Sequence, residues 1–181
     1  MQLENPQKQR PKISKKAWIS ETAIIIGNVH IGDNVFVAHN AIIRADEPGS
    51  SIVISDGCNV QDNVIIHALS HSQVLIDPET SLAHGCIVHG PCKIGTRCFI
   101  GFGSVVFDCT IGDDTLVMHN ATVRKIIVPD GKVIPDGMAI NRQDAVEGLG
   151  DVTPDLTEFK GSVVRANIDL VQGYQALEME V

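Results

Sequence analysis

The stretch Ser81 to Gly95 reads SLAHGCIVHGPCKIG and sets His84 and His89 five residues apart among small and branched side chains. Neutral imidazole is the commonest metal-ligating side chain. A zinc that does chemistry is held by three protein ligands, with a fourth position left for water. Two histidines supply two corners of such a site, and the chain offers five more: His30, His39, His67, His71 and His119. Which of them can converge depends on the elements that carry them.

Those elements follow from a period of six. A branched or aliphatic residue recurs at Ile25, Ile31, Val37, Ile43, then at Ile54, Val60, Ile66, then at Ile76, Leu82, Val88, Ile94, Ile100, Val106. With two steps shortened to five, the series continues through Ile111, Val117, Val123, Val128, Ile134 and Ile140. Gly32, Gly95, Gly101 and Gly112 follow the aliphatic directly, where a coil must turn a tight corner. Six matches neither a helix nor a two-faced strand. It predicts an all-β solenoid, a parallel β-helix in which three hexapeptides make a triangular coil of about 18 residues and coils stack ~4.8 Å apart. Cys58, Cys86, Cys92, Cys98 and Cys109 each precede a repeat aliphatic by two residues, an inward slot that reads as five reduced structural thiols.

Composition agrees with a narrow interior: 44% hydrophobic residues but only 4% aromatic. A net charge of −8 argues against nucleic acid or an anionic membrane as partner. No apolar run approaches the ~20 residues of a membrane span. The opening MQLENPQKQRPKIS lacks a signal peptide's apolar core, so a cytoplasmic location is expected. The organisation read from the pattern is an N-terminal extension (1–17), the β-helix (18–140), a polar linker (141–152) and a C-terminal helix (153–181). Thr153-Pro154 is the helix start signal, and Val164, Ile168, Val171 and Ala176 form the stripe that packs it along the coils.

In a solenoid, equivalent positions lie above one another. Ile43, Ile66, Val88 and Val106 fall into one column, so the residues after them, Arg44, His67, His89 and Phe107, form another. His67 and His89 are therefore vertical neighbours able to share an ion. His84 belongs to a different column, His39, Asp62, His84, Phe102, His119, across a corner of the triangle. It could complete the set only from a neighbouring subunit, and the same arrangement brings Arg44 within reach of Asp62 across that contact.

The segments IRADEPGSSIVISDGCNVQDNVIIHAL and SLAHGCIVHGP resemble the gamma-class carbonic anhydrases, over a span from about Trp18 to Tyr174. The resemblance implies a homotrimer of left-handed β-helices with metal sites at the subunit interfaces. His67 and His89 would come from one subunit and His84 from the next. It implies zinc, with ferrous iron or cobalt as alternatives, and hydration of carbon dioxide to bicarbonate and a proton. By motif, Arg44 and Asp62 match the intersubunit ion pair, Gln61 the glutamine on metal-bound solvent, Glu47 the glutamate beside the metal, and Asn167 the helix asparagine that orients substrate. Phe102 and Phe107 lie close by in the columns. The family's prototype has a long acidic loop after the IHAL histidine, with a shuttle glutamate three residues on. Here that position is Ser70, the acidic loop is absent, and His71 stands as a surrogate shuttle, histidine being a side chain suited to proton transfer at neutral pH. Two rival readings are a weak or silent homologue acting as a metal-binding or assembly protein, and a hexapeptide acyltransferase. The second has no need of three histidines with Arg44 and Asp62.

Overall fold

Every aliphatic of the period-six series is buried, none more than 4% exposed, because each points into a triangular prism of stacked strands. The computed structural model describes residues 1–179 as a left-handed parallel β-helix with one long helix alongside. The first face runs through Ile24–Gly27, Ile42–Ala45, Ile65–His67, the front of Ile87–Ile94 and of Val105–Ile111, and Thr122–Arg124. Its register pairs Ile43 with Ile66, Ile66 with Val88, and Val88 with Val106, as the column count requires. The second face stacks Lys12–Ile13, Val29–Ile31, Ser51–Ile54, Gln73–Ile76 and the back halves of the two long strands. The third stacks the two-residue strands from Trp18–Ile19 to Leu116–Val117, and then Lys132–Ile134.

Two of the three corners are fixed by a left-handed residue in each coil after the first. Between the third and first faces these are Asn40, Asn63, Gly85, Gly103, Asn120 and Gly137, all with φ between +54° and +69°. Asn and Gly are the residues that tolerate this conformation at least cost. The residue before each of them projects outward, which creates the His39, Asp62, His84, Phe102, His119 column. The third corner carries the insertions around 46–50 and 68–72, which stack on each other, with His71 N donating to Pro48 O at 2.9 Å.

The solenoid starts earlier than the expected boundary at residue 18. Gln2–Leu3 pairs with Ile24–Gly27, and Lys12–Ile13 with Val29–Ile31, so segment 1–17 adds a partial coil. Ile13 and Ile19 are already in phase with Ile25, a signal in the sequence that the count from Ile25 passed over. At the other end the linker is a cap: the 3-10 turn Gln143–Gly148 buries Val146, Leu149 is buried just after it, and Gly150–Asp151 pairs antiparallel with Lys132–Ile134.

The helix, Pro154–Met179, lies on the third face, the N–H of Leu156 donating to the Thr153 hydroxyl at 3.3 Å. Val171 and Tyr174 pack against Trp18 and Phe36, while Leu156 and Val163 meet Ala83, Phe99 and Leu116. Its buried stripe differs from the expected one. Lys160 and Asn167 are inside, whereas Ala176 is exposed, because polar groups of the solenoid wait beneath the helix. Lys160 is 4% exposed and donates to Arg97 O at 2.8 Å and to Asp114 at 2.6 Å. Arg97 first, and Lys160 after it, hold the Asp114 carboxyl down at about 2. A carboxyl lowered by folding stabilises above its unfolded pKa and loses that contribution as pH falls through the folded one. Urea melts of wild type and Asp114→Asn should therefore differ above about pH 4, by about 1 kcal/mol once solvent screening is allowed for, and converge near pH 2. All five cysteines are buried free thiols, with Cys58, Cys86 and Cys98 pushed up to about 12 by burial. No helix among the described residues is long and apolar enough to cross a membrane.

Candidate functional site

His67 and His89 are register partners on adjacent first-face strands. Ile66 and Val88, the residues before them, point into the core, so strand alternation turns both imidazoles outward. His67 Nδ1 lies 3.1 Å from His89 Nε2, with the rings nearly perpendicular at 82°. Two Zn–N bonds of ~2.0–2.1 Å at a tetrahedral angle hold their nitrogens about 3.3 Å apart, so the pair has a chelating separation.

The neighbours on the ladder tune these rings. One rung away, Arg44 places a guanidinium nitrogen 3.1 Å from His67 Nε2, and Arg44 Nε is itself 3.3 Å from Asp46. Burial first, then Arg44 and His89, pull the His67 pKa below its ordinary value, against the opposing pull of Glu47 and Asp46. That shift favours the neutral ring, the form that binds metal. Glu47 sets Oε1 3.3 Å from His67 Nε2, while its Oε2 accepts from the Ser70 hydroxyl and amide at 2.7 Å each. Those two bonds, with smaller help from His67 and Arg44, keep the carboxyl below the usual carboxylate range. On the far rung Phe107 packs edge-on against His89, centroids 5.0 Å apart.

His84 lies on the corner column, as expected, and touches neither of the other two histidines. Its Nδ1 is 3.0 Å from Asp62 Oδ2, its side chain is 52% exposed, and Phe102 lies against it at 5.5 Å. Among the described residues no three His, Cys, Asp or Glu side chains are gathered so as to hold a metal within one chain. Arg44 and Asp62 likewise face Asp46 and His84 instead of each other. Gln61 and Asn167 are brought together: Gln61 Nε2 donates to Asn167 Oδ1 at 2.7 Å and to Asn59 Oδ1 at 3.0 Å. Asn167, 8% exposed, is tied back to Val163 O at 2.8 Å. His71 is not at the histidine pair. The stacked insertion turns it round the corner, over Gly49 and into a groove on the second face.

Ser70 is the residue the sequence reading missed in this role. The sequence pattern marks it only by an absent glutamate, yet it anchors Glu47. Glu47 and Ser70 stand 23 residues apart, the same interval as Arg44 and His67, so the same column arithmetic pairs them.

A family model described as bacterial transferase hexapeptide (six repeats) matches residues 10–45. The carboxysome assembly protein CcmM of a Nostoc species is 37% identical over 173 residues, covering 90% of this chain and 31% of that one. The carbonic anhydrase of Methanosarcina thermophila is 34% identical over 192 residues, covering 94% of this chain and 77% of that one. The chain thus spans under a third of the CcmM relative and most of the archaeal one. Among solved structures, a putative acetyltransferase from Bacillus cereus superposes with a TM-score of 0.85 at 20% identity, with 97% of both chains covered. A hexapeptide transferase family protein from Anaplasma phagocytophilum does so at 0.67 and 23%, covering 96% of this chain and 97% of that one. At these identities the structural likeness is one of fold.

Proposed function

The chain belongs to the hexapeptide-repeat family that includes the Methanosarcina thermophila carbonic anhydrase, and from that premise we propose that it is a gamma-class carbonic anhydrase. One observation carries the reading: two imidazoles on adjacent rungs, 3.1 Å apart nitrogen to nitrogen, with an ionised glutamate beside them and an exposed third histidine on the neighbouring corner. His67 and His89 would hold zinc or ferrous iron, with His84 of the partner subunit as third ligand in a homotrimer. Such an ion supplies hydroxide at neutral pH by lowering the pKa of its water from ~15.7 to about 7.

The chain's own groups do the rest. Were His67 to bind the metal through Nδ1, the atom facing His89, and Arg44 to turn away, the ring's Nε2–H would meet Glu47 Oε1, now 3.3 Å away, which would accept the hydrogen bond that orients the ring. Across the subunit contact, Arg44 and Asp62 would exchange their partners within the chain for each other. The Gln61 and Asn167 amides, locked to one another, are the groups assigned to solvent and to carbon dioxide. Phe107 supplies an apolar wall on the far side of His89.

A second reading is a member that has kept the scaffold for assembly without turnover. The name of the CcmM relative and the serine in place of the shuttle glutamate favour it. Metal analysis with stopped-flow carbon dioxide hydration separates the two, on protein loaded with zinc in air and with iron under anaerobic conditions. The enzyme reading expects about one metal per chain and hydration well above background. A metal-replete protein at background leaves the assembly reading, and a protein that binds no metal removes the site.

A further inference from the structure

The second face carries a feature that the histidine ladder does not use. Its inward column runs Val29, Ile52, Val74, Cys92, Cys109, Ile126. Two thiols thus replace Val or Ile on consecutive rungs, and their sulfurs lie 3.8 Å apart. The other three cysteines have no thiol neighbour in their columns. Thr80 separates Cys58 from Cys98, and Cys86 sits between Val64 and Ser104.

The two residues are also the most exposed of this column, although both sulfurs sit in the core beneath the strand. Cys92 and Cys109 are 5% and 7% exposed, against 0–3% for the Val and Ile on the other rungs. They line the floor of an open groove of about 920 Å³ bordered by His71, Leu75, Lys93, Thr110 and Lys125. Register partners on parallel strands have Cα atoms ~4.8 Å apart, inside the ~4.4–6.8 Å that a disulfide spans. The groove's border carries two lysines, Lys93 and Lys125, against one carboxylate, Asp108, a balance that favours a small anionic disulfide over the strand that holds the sulfurs.

We propose that Cys92 and Cys109 form a redox modification site, a dithiol that small disulfides such as oxidised glutathione convert to an intrachain bridge. The bond to Cys109, and then burial, hold the Cys92 thiol well above the usual thiol range, so the exchange runs at alkaline pH: one cysteine, once deprotonated, attacks the glutathione disulfide and expels the first glutathione thiol. The second attacks the resulting mixed disulfide and expels the other. Two protein S–H bonds and one glutathione S–S bond are lost. One protein S–S bond and two glutathione thiols form, so the protein is oxidised and the glutathione reduced. The site stands apart from the metal reading and holds whether or not the chain hydrates carbon dioxide.

The test treats native, fully reduced protein with oxidised glutathione, blocks free thiols, and measures intact mass and cross-linked peptides. The expected result is a loss of two hydrogens per chain, a single Cys92–Cys109 peptide, and full reversal by dithiothreitol. Cys92→Val and Cys109→Val, which put into each slot the residue that Val74 supplies one rung away, should each abolish the bridge while leaving the fold and melting temperature close to wild type. Three results would overturn the proposal: no mass change in the native protein, a bridge to Cys58, Cys86 or Cys98, or a glutathione adduct that persists on one cysteine. If either valine variant fails to fold, partial alkylation of native wild type decides instead. Cys92 and Cys109 must then react before the other three, and equal or reversed reactivity counts against the site.

Discussion

Replacing His89 with alanine is expected to remove bound metal and carbon dioxide hydration together while leaving the solenoid intact. The side chain projects from the first face, and its own contacts are the His67 ring, the Gly90 carbonyl and the edge of Phe107. Losing the hydrogen bond to His67 should cost about 1 kcal/mol, which shifts the melting temperature of a chain this size by only a few degrees. The effect on the metal is of another order. Changing a group that merely orients a ligand lowers metal affinity ~10–100-fold, and removing one of three ligands should exceed that. Hydration should fall to the uncatalysed background at every metal concentration that the fold tolerates. His30→Ala is the matched control, an exposed histidine on the second face far from the ladder, and should change neither readout. If His89→Ala keeps stoichiometric metal, the rung pair is not the site. If it loses metal while hydration persists, the activity lies elsewhere.

The parts of this site that the sequence revealed are those set by translation along the coil. Columns are pure arithmetic once the period is known, so the pairing of His67 with His89 and the separation of His84 from both could be read by counting. Insertions do not disturb that count when two of them stack, which is why Ser70 and Glu47 were legible in principle. What could not be counted was the direction taken by a loop that leaves the repeat. His71 sits in such a loop, and a single left-handed residue there, φ +54°, turns it toward the second face. The helix obeyed a different logic. An amphipathic stripe predicts apolar contacts, whereas the third face presents Asn59, Gln61 and Asp114, so Lys160 and Asn167 were drawn in as partners. Polar satisfaction beneath a helix depends on both surfaces at once, and only one of them is written in the helix.

The same column logic predicts where stability and the site are coupled. Ile66 lies between Ile43 and Val88 on the inner row of the first face, all three fully buried, and the next residue along the chain is His67. Ile66→Val should cost about 0.5–1.5 kcal/mol, and Ile66→Ala about 2–5 kcal/mol, because a prism only three strands around leaves few neighbours to close the cavity. At matched protein concentration these correspond to melting shifts of a few degrees and roughly 5–15 °C. The consequence for the site is specific to alanine. A void behind the strand Ile65–His67 frees the rung that holds His67 against His89, so metal affinity should fall at temperatures where the fold is still complete. Ile134→Ala, equally buried but on the third face near the end of the stack, should cost comparable stability and leave metal affinity unchanged. If the two alanine variants lose metal in parallel, the coupling is through global stability. If only Ile66→Ala loses it, the inner row holds the chelating separation of the outer one.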